Sequence, residues 1–167
     1  MLDTAHMDTR DLAEQRRQRM WRGVAAGTIA TILMTALLVA APALAGVRVP
    51  ELTARATLGV RLSPSLVLIA LVLHFGYGAL AGALFAAATE RVTLAAGLFF
   101  GLALWGVAVA VYAPLVGLGF VASHEPALAA LVLPAHLLYG VVIGALAPRG
   151  EIVQPIDDRW PVTLADA

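Results

Sequence analysis

Residues 65–88 read SLVLIALVLHFGYGALAGALFAAA, a run with no Asp, Glu, Lys or Arg and one histidine, His74. In hydrocarbon a backbone has to satisfy its own N–H and C=O groups. A charge-free run of about 20 residues therefore reads as a membrane-spanning helix, not as the alternating strand of a barrel. Three more runs read the same way, so the spans are expected at about 23–45, 65–88, 92–113 and 127–147. The expected fold class is all-α: an integral membrane four-helix bundle.

Composition agrees with that reading. Of 167 residues, 60% are hydrophobic and 13% are charged, and the mean hydropathy is +0.86. So few charges cannot build the polar shell of a water-soluble domain. The chain has no Cys, Lys or Asn, which excludes disulfides, thiolate catalysis, lysine Schiff bases, cysteine zinc sites and N-glycosylation. A formal net charge of zero gives no pull toward nucleic acid. HExxH, P-loop and G-x-S-x-G motifs are all missing from the sequence, so no enzyme activity is expected.

Arginine placement sets the expected orientation. Arg10, Arg16, Arg17, Arg19, Arg22, Arg91, Arg149 and Arg159 lie on one side of the four runs, and Arg48, Arg55 and Arg61 on the other. The positive-inside tendency then puts both termini in the cytoplasm, with the chain in the cytoplasmic (inner) membrane. The domains are a cytoplasmic N-terminal segment (1–22), the membrane domain (23–147) and a cytoplasmic tail (148–167). Asp8 can cap a helix that runs straight into the first span. Ser63-Pro64 reads as N-cap and N1 of the second span. Ser123 reads as a cap for the fourth, with Glu125 near its positive end. The short turn Thr89-Glu90-Arg91 makes spans two and three antiparallel neighbours. Pro50-Glu51-Leu52 reads as the start of a short interfacial helix. The arginine-rich start, first apolar run and Ala43-Leu44-Ala45-Gly46 also resemble a cleavable signal peptide. The run exceeds the usual signal core of about 7–15 residues, so the span is expected to be retained.

The eleven residues from His74 to Leu84 (HFGYGALAGAL) recur from His136 to Leu146 (HLLYGVVIGAL), sharing H-x-x-Y-G-x-x-x-G-A-L. Ala41-Pro42 in the first span is loosely echoed by Ala113-Pro114 in the third. The simplest account is tandem duplication of a two-helix hairpin, its copies related by an axis along the membrane normal. Within the repeat, His74, Gly78 and Gly82 share a helix face with Tyr77 beside them, and His136, Gly140, Gly144 and Tyr139 match. Small residues four apart let helix backbones meet, which drives association where lipid offers no hydrophobic gain. Gly97 and Gly101 offer the third span a similar seam.

Each histidine lies about nine residues into its span, roughly 14 Å deep at 1.5 Å per residue, close to the midplane. Ionisable groups at that depth call for a functional hypothesis. Pro134 cannot bond to the Ala130 carbonyl, which leaves an acceptor at a similar depth. Three readings stay open. The histidines are neutral glue, hydrogen-bonded to a neighbouring helix through the stripe Thr28, Thr31, Thr35. Alternatively, His74 and His136 ligate one haem b from opposite faces in an electron carrier. In the third reading histidines and tyrosines line a proton or small-solute path, although Asp and Glu are missing from the apolar runs. Among the rest, Trp105 reads as filler, His6 and His124 as solvated without metal-ligand spacing, and Trp160 as an aromatic able to dock a partner. The expected setting is the lipid bilayer, in a homo-oligomer or with other membrane subunits.

Certain segments resemble a family of small four-helix membrane proteins of unknown function seen in halophilic archaea and bacteria. They are Ala30-Thr31-Ile32-Leu33-Met34-Thr35 with the later Ala-Pro, Pro50-Glu51, a histidine followed by glycines in spans two and four, and the G-x-x-x-G-x-x-x-W of Gly97 to Trp105. The resemblance covers about 26–146 and implies the four-span architecture without an activity. The outer segments here are richer in arginine than that family pattern.

Overall fold

The computed structural model describes residues 9–45, 64–89 and 92–147. Four helices dominate: α1 (Thr9–Ala45), α2 (Pro64–Ala88), α3 (Leu94–Val107) and α4 (Pro126–Leu146). No strand occurs among the described residues. Four helical segments are long and apolar enough to cross a membrane: Ala13–Ala40 in α1, Leu68–Ala88 in α2, Leu94–Leu115 from α3 onward, and Pro126–Leu146, which is α4. Large apolar side chains such as Leu73, Phe99 and Leu115 lie on the outside. Such a surface is a liability in water and ordinary against acyl chains.

α1 has 37 residues, about 55 Å at 1.5 Å per residue. It joins the polar N-terminal residues and the first span into one rod. Its Asp8 cap lies outside the described residues, as do Ser63 of the second cap, the Pro50-Glu51-Leu52 segment, His6 and Trp160. Pro64 is the first residue of α2, the position where its missing N–H costs nothing. Thr93, in extended conformation, caps α3 by accepting the Ala96 N–H at 3.0 Å.

The third span keeps going beyond Val107 through a π-helical stretch (Ala108–Tyr112) and a last α-helical turn (Ala113–Leu115). Pro114 lacks the N–H that would reach the Ala110 carbonyl. Just before it the ladder widens, and the Ala113 N–H bonds to Ala108 O. This is how a membrane helix re-satisfies its backbone around proline.

The connection to α4 is a tight knot around a 3-10 turn (Phe120–Ala122). Gly117 and Gly119 take φ of +78°, and Val121 and Ala122 are also left-handed, at φ 55° and 51°. The Ser123 cap is corrected here. Ser123 closes the 3-10 turn with its N–H on Phe120 O, in helical φ/ψ that an N-cap does not use. Glu125 is the N-cap of α4, with non-helical φ/ψ and no side-chain bond, and Pro126 behind it fixes the first helical φ.

α1 packs most closely on α2, and α3 on α4, while α1 and α4 join the two pairs. The antiparallel neighbours expected from the short turn, α2 and α3, meet more lightly, through the rings of Phe85 and Phe100 at 5.0 Å. The main core is filled by Ala26, Ala30 and Met34 of α1, Ala81 and Phe85 of α2, and Ala135, Tyr139, Val142 and Ile143 of α4. A second cluster, including Val109, Ala113, Leu118 and Leu128, closes the end under the 3-10 turn.

Candidate functional site

The glycines create the site's geometry. A Cβ on Gly27 would fall on the Gly78 carbonyl, and one on Gly82 on the Gly23 carbonyl. In the other pair, a Cβ on Gly97 would meet the Gly140 carbonyl, and one on Gly101 the His136 carbonyl. Backbones therefore touch along Gly23, Gly27, Gly78 and Gly82, and again along Gly97, Gly101, Gly140 and Gly144. This is close packing through small residues, as helices that span a membrane commonly use. Gly76 and Gly106 face open space.

Polar groups sit directly above the first seam. Thr31, 1% exposed, packs against Gly78 and donates its hydroxyl to Gly27 O at 2.8 Å. Thr35 donates to Thr31 O at 2.7 Å, and its oxygen lies 3.1 Å from His74 Nε2. A hydroxyl has one proton, and the Thr31 carbonyl can only accept. With that proton on the Thr31 carbonyl, His74 Nε2–H is the donor to Thr35. Thr28 bonds only within its own helix, to Val24 O at 2.9 Å.

His136 behaves differently. Its Nδ1–H donates to Val132 O at 2.9 Å, one turn back on its own helix, and its Nε2 keeps a lone pair. The expectation that both histidines bond to neighbouring helices thus holds for His74 and not for His136, whose carbonyl is pressed on Gly101 by the tight α3–α4 approach. Twofold haem ligation would use Nε2 of both histidines on iron, and His74 Nε2 lies against Thr35 here.

The tyrosines also separate. Tyr139, 2% exposed, reaches from α4 to donate to Gly78 O at 2.6 Å. Tyr77 is half exposed, on the outer side of α2. Gly78 is thus where three helices meet: α1 at its Cα, α4 at its carbonyl, and α2 as its own.

Trp105 is more than filler. Its indole N–H donates to Ala129 O at 3.0 Å, one residue from the carbonyl that Pro134 cannot serve. At the arginine-rich end, Arg19 donates to Thr89 O at 2.7 Å, closing the C-terminus of α2. Its Nε is buried with no partner among the described residues. The pattern Gly23-x-x-x-Gly27 was present to be read as the partner of Gly78 and Gly82. Nothing in the sequence pointed to the roles of Trp105 and Arg19. His124 is exposed and donates to Gly117 O at 3.1 Å. No group of three metal-ligating side chains occurs among the described residues.

With the glycine seams and the threonine–histidine chain in view, the comparison with family models has one result. A model described as a family of unknown function (DUF6789) matches residues 17–154. The chain belongs to that family. The matched region takes in all four spans of the family member described here. No curated protein and no solved structure matches the chain.

Proposed function

We propose that this DUF6789 member is a non-enzymatic, multi-pass component of the cytoplasmic membrane, both termini in the cytoplasm, acting as a structural or accessory subunit of a homo-oligomer or larger membrane complex. One observation carries the reading: the half-buried polar chain from His74 through Thr35 ends on the Thr31 carbonyl. A carbonyl cannot hand a proton on, so the chain works as glue between helices and not as a relay. Tyr139 and Trp105 likewise spend their donors on backbone carbonyls. The inward glycines are used up within the chain, which leaves the outward faces at Gly76 and Gly106 for other subunits.

Tandem duplication of a hairpin accounts for the matching seams. Gly27 lies over Gly78 and Gly82 as Gly97 lies over Gly140 and Gly144, and Gly23 and Thr93 occupy the same place in each pair. The interval from Gly97 to Pro114 is two residues longer than that from Gly27 to Pro42, and the π stretch lies within it, where extra residues are absorbed.

Blue-native electrophoresis in mild detergent tests the proposal, with a particle well above the 17.4 kDa monomer plus micelle expected. A strictly monomeric protein with no co-purifying partner counts against it. The haem b reading draws support from His136 alone, whose Nδ1–H bond to Val132 O leaves Nε2 free to ligate. A visible spectrum after expression with haem separates the two: the scaffold reading expects no Soret band, and a band lost in His136→Ala overturns it.

A further inference from the structure

At the end of the bundle where α2 and α4 finish, a groove of about 320 Å³ opens between α1 and α4, lined by Arg22, Ala25, Ala26, Ile29 and Leu146. Among the described residues its lining has one cation at one end and only aliphatic side chains beyond it. Residues 22, 26 and 29 succeed one another along one face of α1, so the charge stands above the apolar part at helical spacing. Arg19, one turn earlier, holds the Thr89 carbonyl at the end of α2, which puts Arg22 at the level where the helices leave hydrocarbon. Arg22 is exposed and makes no hydrogen bond or ion pair with another described residue. Glu14, two turns earlier on α1, pairs with Arg17 at 3.3 Å and accepts from Gln18, not from Arg22. Trp21, next in the chain, is exposed, as aromatics at the headgroup level commonly are.

We infer that this groove is a binding site for one anionic phospholipid, its phosphate on Arg22 and one acyl chain laid along Ala25, Ala26, Ile29 and Leu146. The inference rests on the reading of the four helices as membrane spans. Basic pockets between spans recognise anionic headgroups in this way, and the volume falls in the range of small-ligand sites, about 300–1,000 Å³. A zwitterionic lipid would bring its own cation to Arg22 and lose the advantage. The carbonyl end of α4, at Leu146, is negative, so Arg22 decides where the phosphate can sit.

Native mass spectrometry of the full chain, stripped of lipid in detergent, is the test. Palmitoyl-oleoyl phosphatidylglycerol, the matching phosphatidylcholine and inorganic phosphate are added back in separate arms. Phosphatidylglycerol is expected to remain bound where phosphatidylcholine does not. Arg22→Gln is expected to lower its affinity about five-fold, the worth of one basic residue near an anionic surface. Ala25→Leu, which fills the groove from an exposed position and keeps the charge, is expected to displace the lipid as well. Arg17→Gln, outside the groove, should bind as wild type. Equal retention of the two lipids, or undiminished phosphatidylglycerol binding by both Arg22→Gln and Ala25→Leu, overturns the site. Displacement of the lipid by millimolar inorganic phosphate also overturns it, because a bare anion site needs no groove. Melting temperatures show that each variant is folded, and Ala25→Leu decides if Arg22→Gln is not. The electrophoretic particle size is read separately, so loss of the lipid site leaves the subunit proposal intact.

Discussion

Gly78 carries more of the bundle than any side chain on α2, because it has none. Thr31 occupies the space where its Cβ would be, and Tyr139 takes its carbonyl. Gly78→Ala is expected to destabilise the fold by about 1–3 kcal/mol, the usual cost of overpacking, as a lower midpoint in detergent unfolding. Adding Thr31→Ala should recover part of the loss, since it removes the hydroxyl that clashes. The contrast is Gly76, which meets nothing. Gly76→Ala should be neutral or gain up to about 1 kcal/mol from helix propensity. The same unfolding assay applies to polar glue. A double-mutant cycle on Thr35→Val and His74→Leu should return a coupling of about 0.6 kcal/mol, the average for hydrogen bonds between membrane helices. A coupling of zero would show that the 3.1 Å contact contributes nothing.

The connection before α4 stores strain that its helices do not. Val121 is β-branched and left-handed at φ 55°, a conformation costing roughly 1–2 kcal/mol for an L-residue. Glycine removes that cost but adds about 0.5–1 kcal/mol of chain entropy. Val121→Gly is therefore expected to leave stability unchanged or raise it by up to about 1 kcal/mol, in thermal melts. A clear loss would mean that Val121 is held by packing worth more than its strain. Pro114 in the third span is answered by a widened ladder. On α4 the indole of Trp105 comes in from α3 to the Ala129 carbonyl. Trp105→Phe keeps an aromatic ring but deletes this donor along with the pyrrole half, so a loss of at least about 1 kcal/mol is expected.

Across the bundle, α1 and α4 form the contact that unites two tight pairs. A chain with no cysteine makes its topology directly measurable, since any introduced thiol is unique. In intact cells Ser123→Cys is expected to react with a membrane-impermeant maleimide. Gln15→Cys, on the arginine-rich extension of α1, should react only after permeabilisation. The reverse pattern would overturn the proposed orientation and, with it, the leaflet assigned to the Arg22 groove.

The span count and the positions of the glycines and histidines were legible in the amino-acid order. Backbone desolvation acts segment by segment, and a charge-free run declares itself without reference to any other. Thr35 and His74 were legible as candidates, and the glycine faces as seams. Which helix each seam meets was not, nor that His136 turns to its own helix while His74 crosses to α1, nor that Tyr77 looks outward and Tyr139 inward. Those outcomes depend on how each helix is rotated and tilted against all the others. Only the packed bundle determines that rotation, because in hydrocarbon close contact, not hydrophobicity, selects the partner.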